Sequence, residues 1–262
     1  MDQDCNQTPS TPLAGKVAAV TGSSRGLGNW MVVALARAGA DVVVTYRRSQ
    51  EEAREVARSI EDLGRRALVL QLDSGDPDSI EAMRQAIAAE FGGLDVMVNN
   101  AGVNIMKKAL DVTPSDFDLI AGVNLRGVYF CCQAAAKLMI PRGGGKIINI
   151  SSAAAFLVRR GIPISVYAAT KAGIVMLTKA LAAEWAEYKI NVNALAPGYF
   201  VTPLTAGRLK DPKFMKSVVE STPLGRVGQA EDINEVLVFL AGRGADFITG
   251  QTISVDGGRT VL

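Results

Sequence analysis

The sequence predicts an α/β fold: an open, doubly wound parallel sheet with helices on both faces. Three observations predict it. From Lys16 onward, short β-branched runs alternate with longer helical patterns, the rhythm of strand–helix–strand units. The first run ends in a glycine-rich turn, Thr21-Gly-Ser-Ser-Arg-Gly-Leu-Gly28, directly before a helical stretch. The 262 residues are 48% hydrophobic and 21% charged, a globular composition long enough to bury a core without staples. That length admits one large domain or two small ones. No repeat, low-complexity block or linker divides the chain, so residues 15–262 read as one domain behind a polar, flexible tail, 1–14.

The elements follow in order. Strands are expected at 17–21, 42–46, 67–72, 94–99, 146–151, 190–195 and 252–255. The helix 27–38 follows the glycine turn. The helix 51–63 is amphipathic, with Ala53, Val56, Ala57 and Ile60 on its inner face. The helix 79–91 is preceded by Asp76 and Asp78 as candidate caps. A long helical region covers 114–140, another 166–188, and a last helix 231–240. In such sheets, ligands bind beyond the carboxyl ends of the strands.

Composition excludes several functions. A net charge of +2 gives no reason to expect nucleic acid or an acidic membrane surface. Three cysteines, Cys5, Cys131 and Cys132, are not a disulfide framework, which fits a reducing, cytoplasmic setting. With no histidine, histidine-based triads and histidine metal sites are out, and no metal is expected. The start of the chain has neither the charge nor the apolar run of a signal peptide. No stretch reads as reaching the roughly 18 apolar residues of a membrane span.

The chemistry-bearing residues lie at the predicted strand ends. Gly22, Gly26 and Gly28 would let the backbone approach a pyrophosphate at a helix N-terminus, although a plain glycine turn has the same composition. The second strand ends Thr45-Tyr46-Arg47-Arg48, without the acid that would hold a ribose hydroxyl. Two guanidiniums there, with Arg25 in reach, favour a 2′-phosphate and so NADP(H) over NAD(H); the alternative is a solvated loop. Asp73 ends the third strand, as an adenine partner or a helix cap. Asn99-Asn100-Ala101-Gly102 ends the fourth, where small residues would pass under a cofactor. Asn124 sits mid-helix among apolar residues, unfavourable unless its amide has a partner. The fifth strand presents Ser151 and Ser152. In the helical pattern 166–188, Tyr167 and Lys171 are four apart, on one face. A lysine ammonium beside a phenol would pull its pKa down from roughly 10 and make the pair an acid/base unit.

Together and in this order, these motifs identify the chain as resembling the short-chain dehydrogenases/reductases, from about Leu13 to Leu262. Asn193-Ala-Leu-Ala-Pro-Gly198, Thr202 and Asp256-Gly257-Gly258 add to the match. The resemblance implies one Rossmann-type domain, a nicotinamide cofactor and a homotetramer. It implies Tyr167 as general acid/base, Lys171 lowering its pKa and holding the nicotinamide ribose, Ser152 bonding the substrate oxygen, and Asn124 anchoring a water in the proton path. It places the cofactor on Gly22, Ser24, Arg25, Gly26, Leu27, Gly28, Tyr46, Arg47, Arg48, Asp73, Ser74, Asn100, Ala101, Gly102, Tyr167, Lys171, Pro197, Gly198, Phe200 and Thr202, with Thr202 at the carboxamide.

Three positions depart from the family pattern. The loop between Ser152 and Tyr167 is longer than usual, which keeps Ser151 and Ser165 as alternatives; Ser152 is preferred because it directly follows the strand end. Trp30 replaces a small residue on the first helix, and Ser74 an apolar one after Asp73.

The pocket should be lined by 153–166 and 200–220. In the lengthened loop Arg159 and Arg160 could bind a carboxylate or phosphate of the substrate, or simply face solvent. Ala183-Glu-Trp-Ala186, Ala196-Pro-Gly-Tyr-Phe200 and Thr222-Pro-Leu-Gly-Arg226 resemble the branch acting on sugar acids, the gluconate and deoxygluconate dehydrogenases. The 3-oxoacyl-carrier-protein reductases and tailoring ketoreductases of secondary metabolism are the alternatives, and a non-catalytic nucleotide sensor the reading from another class. Apolar circumference on 121–140 and 173–185 suggests a symmetric homo-oligomer.

Overall fold

The computed structural model describes residues 11–203 and 205–261. The first ten residues of the expected tail lie outside them. Residues 11–14 pack on the domain: Leu13 is buried and its N–H donates to Ala38 O at 2.9 Å.

Among the described residues seven strands form one parallel sheet, ordered β3-β2-β1-β4-β5-β6-β7. They are β1 (Val17–Val20), β2 (Asp41–Tyr46), β3 (Ala67–Gln71), β4 (Val96–Asn99), β5 (Gly145–Ile150), β6 (Ile190–Pro197) and β7 (Thr252–Val255). The order reverses between β1 and β4, and that switch point opens the crevice where α/β sheets bind ligands. Alternate residues of β1 feed opposite faces: Ala18 and Val20 join one core, Val17 and Ala19 the other. A strand buried on both sides needs apolar residues throughout, and β1 is fully buried.

One face carries α1 (Gly26–Arg37), α2 (Gln50–Glu61) and α9 (Ala230–Ala241); the other carries α3 (Pro77–Phe91), α5 (Val128–Met139) and α6 (Ser165–Trp185). The short α4 (Pro114–Ala121) precedes α5, and α7 (Ala206–Leu209) and α8 (Pro212–Glu220) follow β6. Trp30 is absorbed by packing against the first core. Of the two capping candidates Asp76 caps α3, accepting from Asp78 N at 3.0 Å, while Asp78 lies in the first turn.

Two expectations need correction. The helical region 114–140 is not one regular helix: a π-helical turn, Gly122–Gly127, separates α4 from α5. Gly127 sits against the Ser74 carbonyl, where any Cβ would collide, and Asn124 turns inward to the backbone of Val103. Inserted turns of this kind concentrate at functional sites. Second, among the described residues two helical stretches are long and apolar enough to cross a membrane, Pro114–Arg142 and Ser165–Tyr188, each with mean hydropathy 1.2. The inner side of each packs on the sheet, where Cys131, Cys132, Ile174 and Leu181 form core.

Candidate active site

The carboxyl ends of the strands and the loops beyond them line a cavity of about 700 Å³, within the range of small-molecule and cofactor sites. Its first wall is the turn between β1 and α1. Gly22 and Gly26 take φ of 64° and 60°, the left-handed region that favours glycine. Thr45 Oγ1 accepts from Gly22 N at 2.8 Å, and Ser23 Oγ accepts from Thr45 N at 2.9 Å, so β2 holds the turn in place. A Cβ on Gly28 would collide with Gly22 O and come within 2.6 Å of Asn100 Nδ2. Helix α1 therefore presses directly on its own turn. No side chain caps it, which leaves its first N–H groups to an anion on the cavity side. These features fit a dinucleotide pyrophosphate. Ser24, Arg25 and Leu27 line the same wall.

Thr21 Oγ1 accepts from Asn100 N and Ala101 N, both at 2.9 Å, tying β1 to the small-residue segment ending in Gly102. Arg47, Arg48, Asp73 and Ser74 line the far end. Arg47 Nε donates to Asp73 Oδ2 at 2.9 Å, while Asp73 Oδ1 accepts from Gly75 N. The pair is half exposed. It fixes the Arg47 fork and leaves its terminal nitrogens outside the pair. Tyr46 does not line the cavity; it is buried in the core around β2.

At the other end stand Ser152, Tyr167 and Lys171. The geometry separates the three candidate serines. Ser151 is buried, and its hydroxyl donates to Lys171 O at 2.8 Å. Ser165 is exposed at the start of α6. Ser152 lines the cavity with Tyr167, and its Oγ accepts from Ala154 N at 3.1 Å. Lys171 is 3% exposed. Its ammonium donates to Ile150 O at 2.7 Å and lies 5.7 Å from the Tyr167 ring centroid.

The expectation that Lys171 draws the Tyr167 pKa down needs correction for the protein without cofactor. Burial pushes the phenol up, the neighbouring Ser152 hydroxyl partly opposes this, and Tyr199 adds to the rise. The ammonium is turned to a strand carbonyl instead. Burial lowers Lys171 itself to about 8. Near neutral pH the site thus holds a protonated phenol beside a lysine that is still charged, a proton donor with a cation behind it.

Asn124 does not reach the cavity. Its Oδ1 accepts from Val103 N at 2.8 Å and its Nδ2 donates to Val103 O at 2.9 Å and to Thr170 Oγ1 at 3.3 Å. The partner its mid-helix position called for is the loop after β4 and the α6 face. Pro197, Gly198, Phe200 and Thr202 form the wall after β6. Phe200 lies over Gly228, where a Cβ would strike the ring.

Arg159 lines the cavity, whereas Arg160 is exposed and does not. Sequence reasoning missed Tyr199, Arg208, Phe214 and Arg259, all lining the same end. Tyr199, Arg208 and Phe214 lay within quoted or bracketed segments and could have been singled out. Nothing local to Arg259 signals that the C-terminal turn folds back onto the site.

Comparison with known proteins places this geometry. The family model described as enoyl-(acyl carrier protein) reductase matches residues 22–260. The 2-dehydro-3-deoxy-D-gluconate 5-dehydrogenase of Escherichia coli (strain K12) is 42% identical over 94% of this chain and 96% of its own. A 3-oxoacyl-[acyl-carrier-protein] reductase of Staphylococcus aureus is 39% identical over 93% and 97%. A crystal structure of a gluconate 5-dehydrogenase from Burkholderia cenocepacia J2315, in complex with NADP and tartrate, is 40% identical. It superposes with a TM-score of 0.91 over 97% of this chain and 98% of that one. The chain belongs to the short-chain dehydrogenase/reductase family. It is an NAD(P)-dependent oxidoreductase.

Proposed function

We propose that the protein transfers hydride between NADP(H) and a ketone or secondary alcohol, with a sugar acid or another small polar ketone as substrate. One observation carries this reading. Ser152, Tyr167 and Lys171 line the same cavity as the uncapped start of α1. When bound, the nicotinamide supplies or accepts the hydride. The chain does the rest. Ser152 and Tyr167 hold the substrate oxygen between two hydroxyls, and Tyr167 gives its proton to that oxygen during reduction. The charged Lys171 then stabilises the tyrosinate left behind. The turn at 22–28, Arg47 and Arg48 would hold the phosphates, and Asn100 to Gly102 and Thr202 the nicotinamide half. NADP(H) is preferred because β2 is followed by arginines rather than an acid, and the relative from B. cenocepacia was crystallised with NADP.

The sugar-acid reading draws on the relatives named for gluconate derivatives. A second reading, 3-oxoacyl thioester reduction, is favoured by the apolar stretch of wall formed by Met106, Leu157, Ile162 and Ile164. The reading includes a single domain from residue 15, a cytoplasmic setting and a homotetramer.

Tyr167→Phe tests the assignment. It should keep NADPH binding, read by quenching of NADPH fluorescence, and lose roughly 10²- to 10⁴-fold in kcat. Wild-type turnover in that variant would sink it. A panel of keto-sugar acids, 3-oxoacyl thioesters and aromatic ketones separates the two substrate readings.

A further inference from the structure

We propose that Arg259 and Arg159, meeting on Ser221, form an anion clamp at the substrate end of the cavity. The enzyme then takes a ketone or secondary alcohol that carries a carboxylate. This rests on the oxidoreductase reading above and adds the residues that would choose its substrate.

The C-terminal turn builds the clamp. Gly257 and Gly258 take φ of 67° and 86°. Asp256 accepts from Gly258 N and Thr260 N, each at 2.9 Å, so its carboxylate serves the backbone of the turn. Arg259 is thereby carried inward and is 3% exposed. Its Nη1 donates to Ser221 Oγ at 2.7 Å and to Val218 O at 3.4 Å. Its guanidinium carbon lies 4.8 Å from the Tyr199 ring centroid. Arg159, from the loop after β5, reaches the same Ser221 Oγ with Nη1 at 3.2 Å. The Ser221 hydroxyl donates to Ser217 O at 2.7 Å, which leaves its oxygen to accept from both arginines.

Two guanidiniums therefore converge on one hydroxyl. Among the described residues neither forms an ion pair; the paired arginines are Arg47, Arg58, Arg66, Arg84, Arg142 and Arg226. A buried cation is costly unless an anion meets it. Burial, with the Arg159 charge adding to it, holds the Arg259 pKa below its usual range, although Tyr199 and the Asp256 carboxylate pull the other way. Each guanidinium has five N–H donors in a planar fork, and few are used. A carboxylate accepts from such forks and would cancel their mutual repulsion. Both arginines line the cavity that holds Ser152 and Tyr167, and Tyr199 bridges the two regions: it stacks on Arg259 and bears on the Tyr167 pKa. A carboxylate in the clamp would leave the rest of a short substrate toward Tyr167.

The test compares a keto-aldonic acid with its primary amide at saturating NADPH. Wild type should favour the acid in kcat/KM by at least about 10-fold, and Arg259→Met and Arg159→Met should each raise KM for the acid roughly 10- to 100-fold. The acid-to-amide ratio should collapse, with NADPH fluorescence titrations unchanged. Arg159 lies on a surface loop, so its variant carries the test if Arg259→Met does not fold. A second arm does not depend on turnover. Gluconate titrated calorimetrically into the NADPH-bound enzyme should bind to wild type and lose that affinity in either variant. Equal use of acid and amide by wild type, or gluconate affinity unchanged in both variants, overturns the clamp and leaves the oxidoreductase reading standing. Full turnover in Tyr167→Phe overturns that reading instead, and the gluconate titration still decides the clamp.

Discussion

Lys171 shows how a single residue is set by its surroundings. It is nearly sealed from water, with one backbone carbonyl as its partner, and burial lowers it to about 8. The proposed reduction calls for Tyr167 protonated and Lys171 charged to receive the tyrosinate. The kcat/KM for NADPH-dependent reduction should therefore be level near neutrality and fall as pH rises through about 8. A stopped-flow pH profile reads this; a limb only near the ordinary lysine pKa of about 10.4 would show that the ammonium is not desolvated. The same shift has a stability consequence. The folded pKa lies below the unfolded one, so between about 8 and 10.5 the unfolded chain holds the extra proton. Stability contributed at this position then rises with pH across that window, by on the order of 3 kcal/mol. Cys131, held protonated in the fold up to about 12, opposes it at high pH. The gain is isolated by comparing urea midpoints of wild type and Lys171→Met at pH 7 and pH 10. The spacing of Tyr167 and Lys171 was legible in the sequence. The electrostatics between them were not, because the ammonium is claimed by Ile150, a carbonyl on a strand more than twenty positions earlier.

At the scale of elements, strands and amphipathic helices were legible because their apolar spacing is local. The break within 114–140 was not, because it depends on a carbonyl from the loop after β3 and on backbone from the loop after β4. Asn124 was marked as needing a partner, and that partner is Val103. Asn124→Leu would leave a half-buried N–H and C=O of Val103 unpaired. It should cost about 2 to 4 kcal/mol by urea denaturation, the penalty of orphaning two such groups. A loss below about 0.5 kcal/mol would mean that water replaces the amide. In the proposed function, the turn between β2 and α2 carries cofactor choice. Arg47 is held by Asp73 and Arg48 is exposed beside it. Arg47→Ala combined with Arg48→Ala should lower the NADPH-over-NADH preference in kcat/KM by roughly 10- to 100-fold, as charged hydrogen bonds of this kind are worth. An unchanged ratio would move the phosphate contact to Arg25.

At the scale of the whole molecule, the parallel sheet follows from strand–helix alternation, and its switch point explains why residues from six strand ends share one cavity. Chain order does not disclose that the C-terminal turn returns to that cavity, since Asp256-Gly257-Gly258 sets a turn but not its destination. The surface carries a further consequence. Helix α6 continues to Tyr188 as a stretch with mean hydropathy 1.2, yet only 33% of its apolar window is buried, against 61% for the stretch Pro114–Arg142. Met176 on α6, Phe117 on α4 and Tyr129 on α5 are 63%, 52% and 41% exposed. Apolar surface concentrated on neighbouring helices is what a symmetric partner covers. Light scattering at micromolar concentration should give a mass near four times the chain's 27.6 kDa. Met176→Glu should lower that mass, because a charge on a closed apolar interface has no partner on the facing copy. If wild type scatters as a monomer, the exposed face of α6 must be explained without a second copy. A variant that dissociates while keeping turnover would show that each active site is complete within one chain, as the cavity between α1 and α6 already suggests.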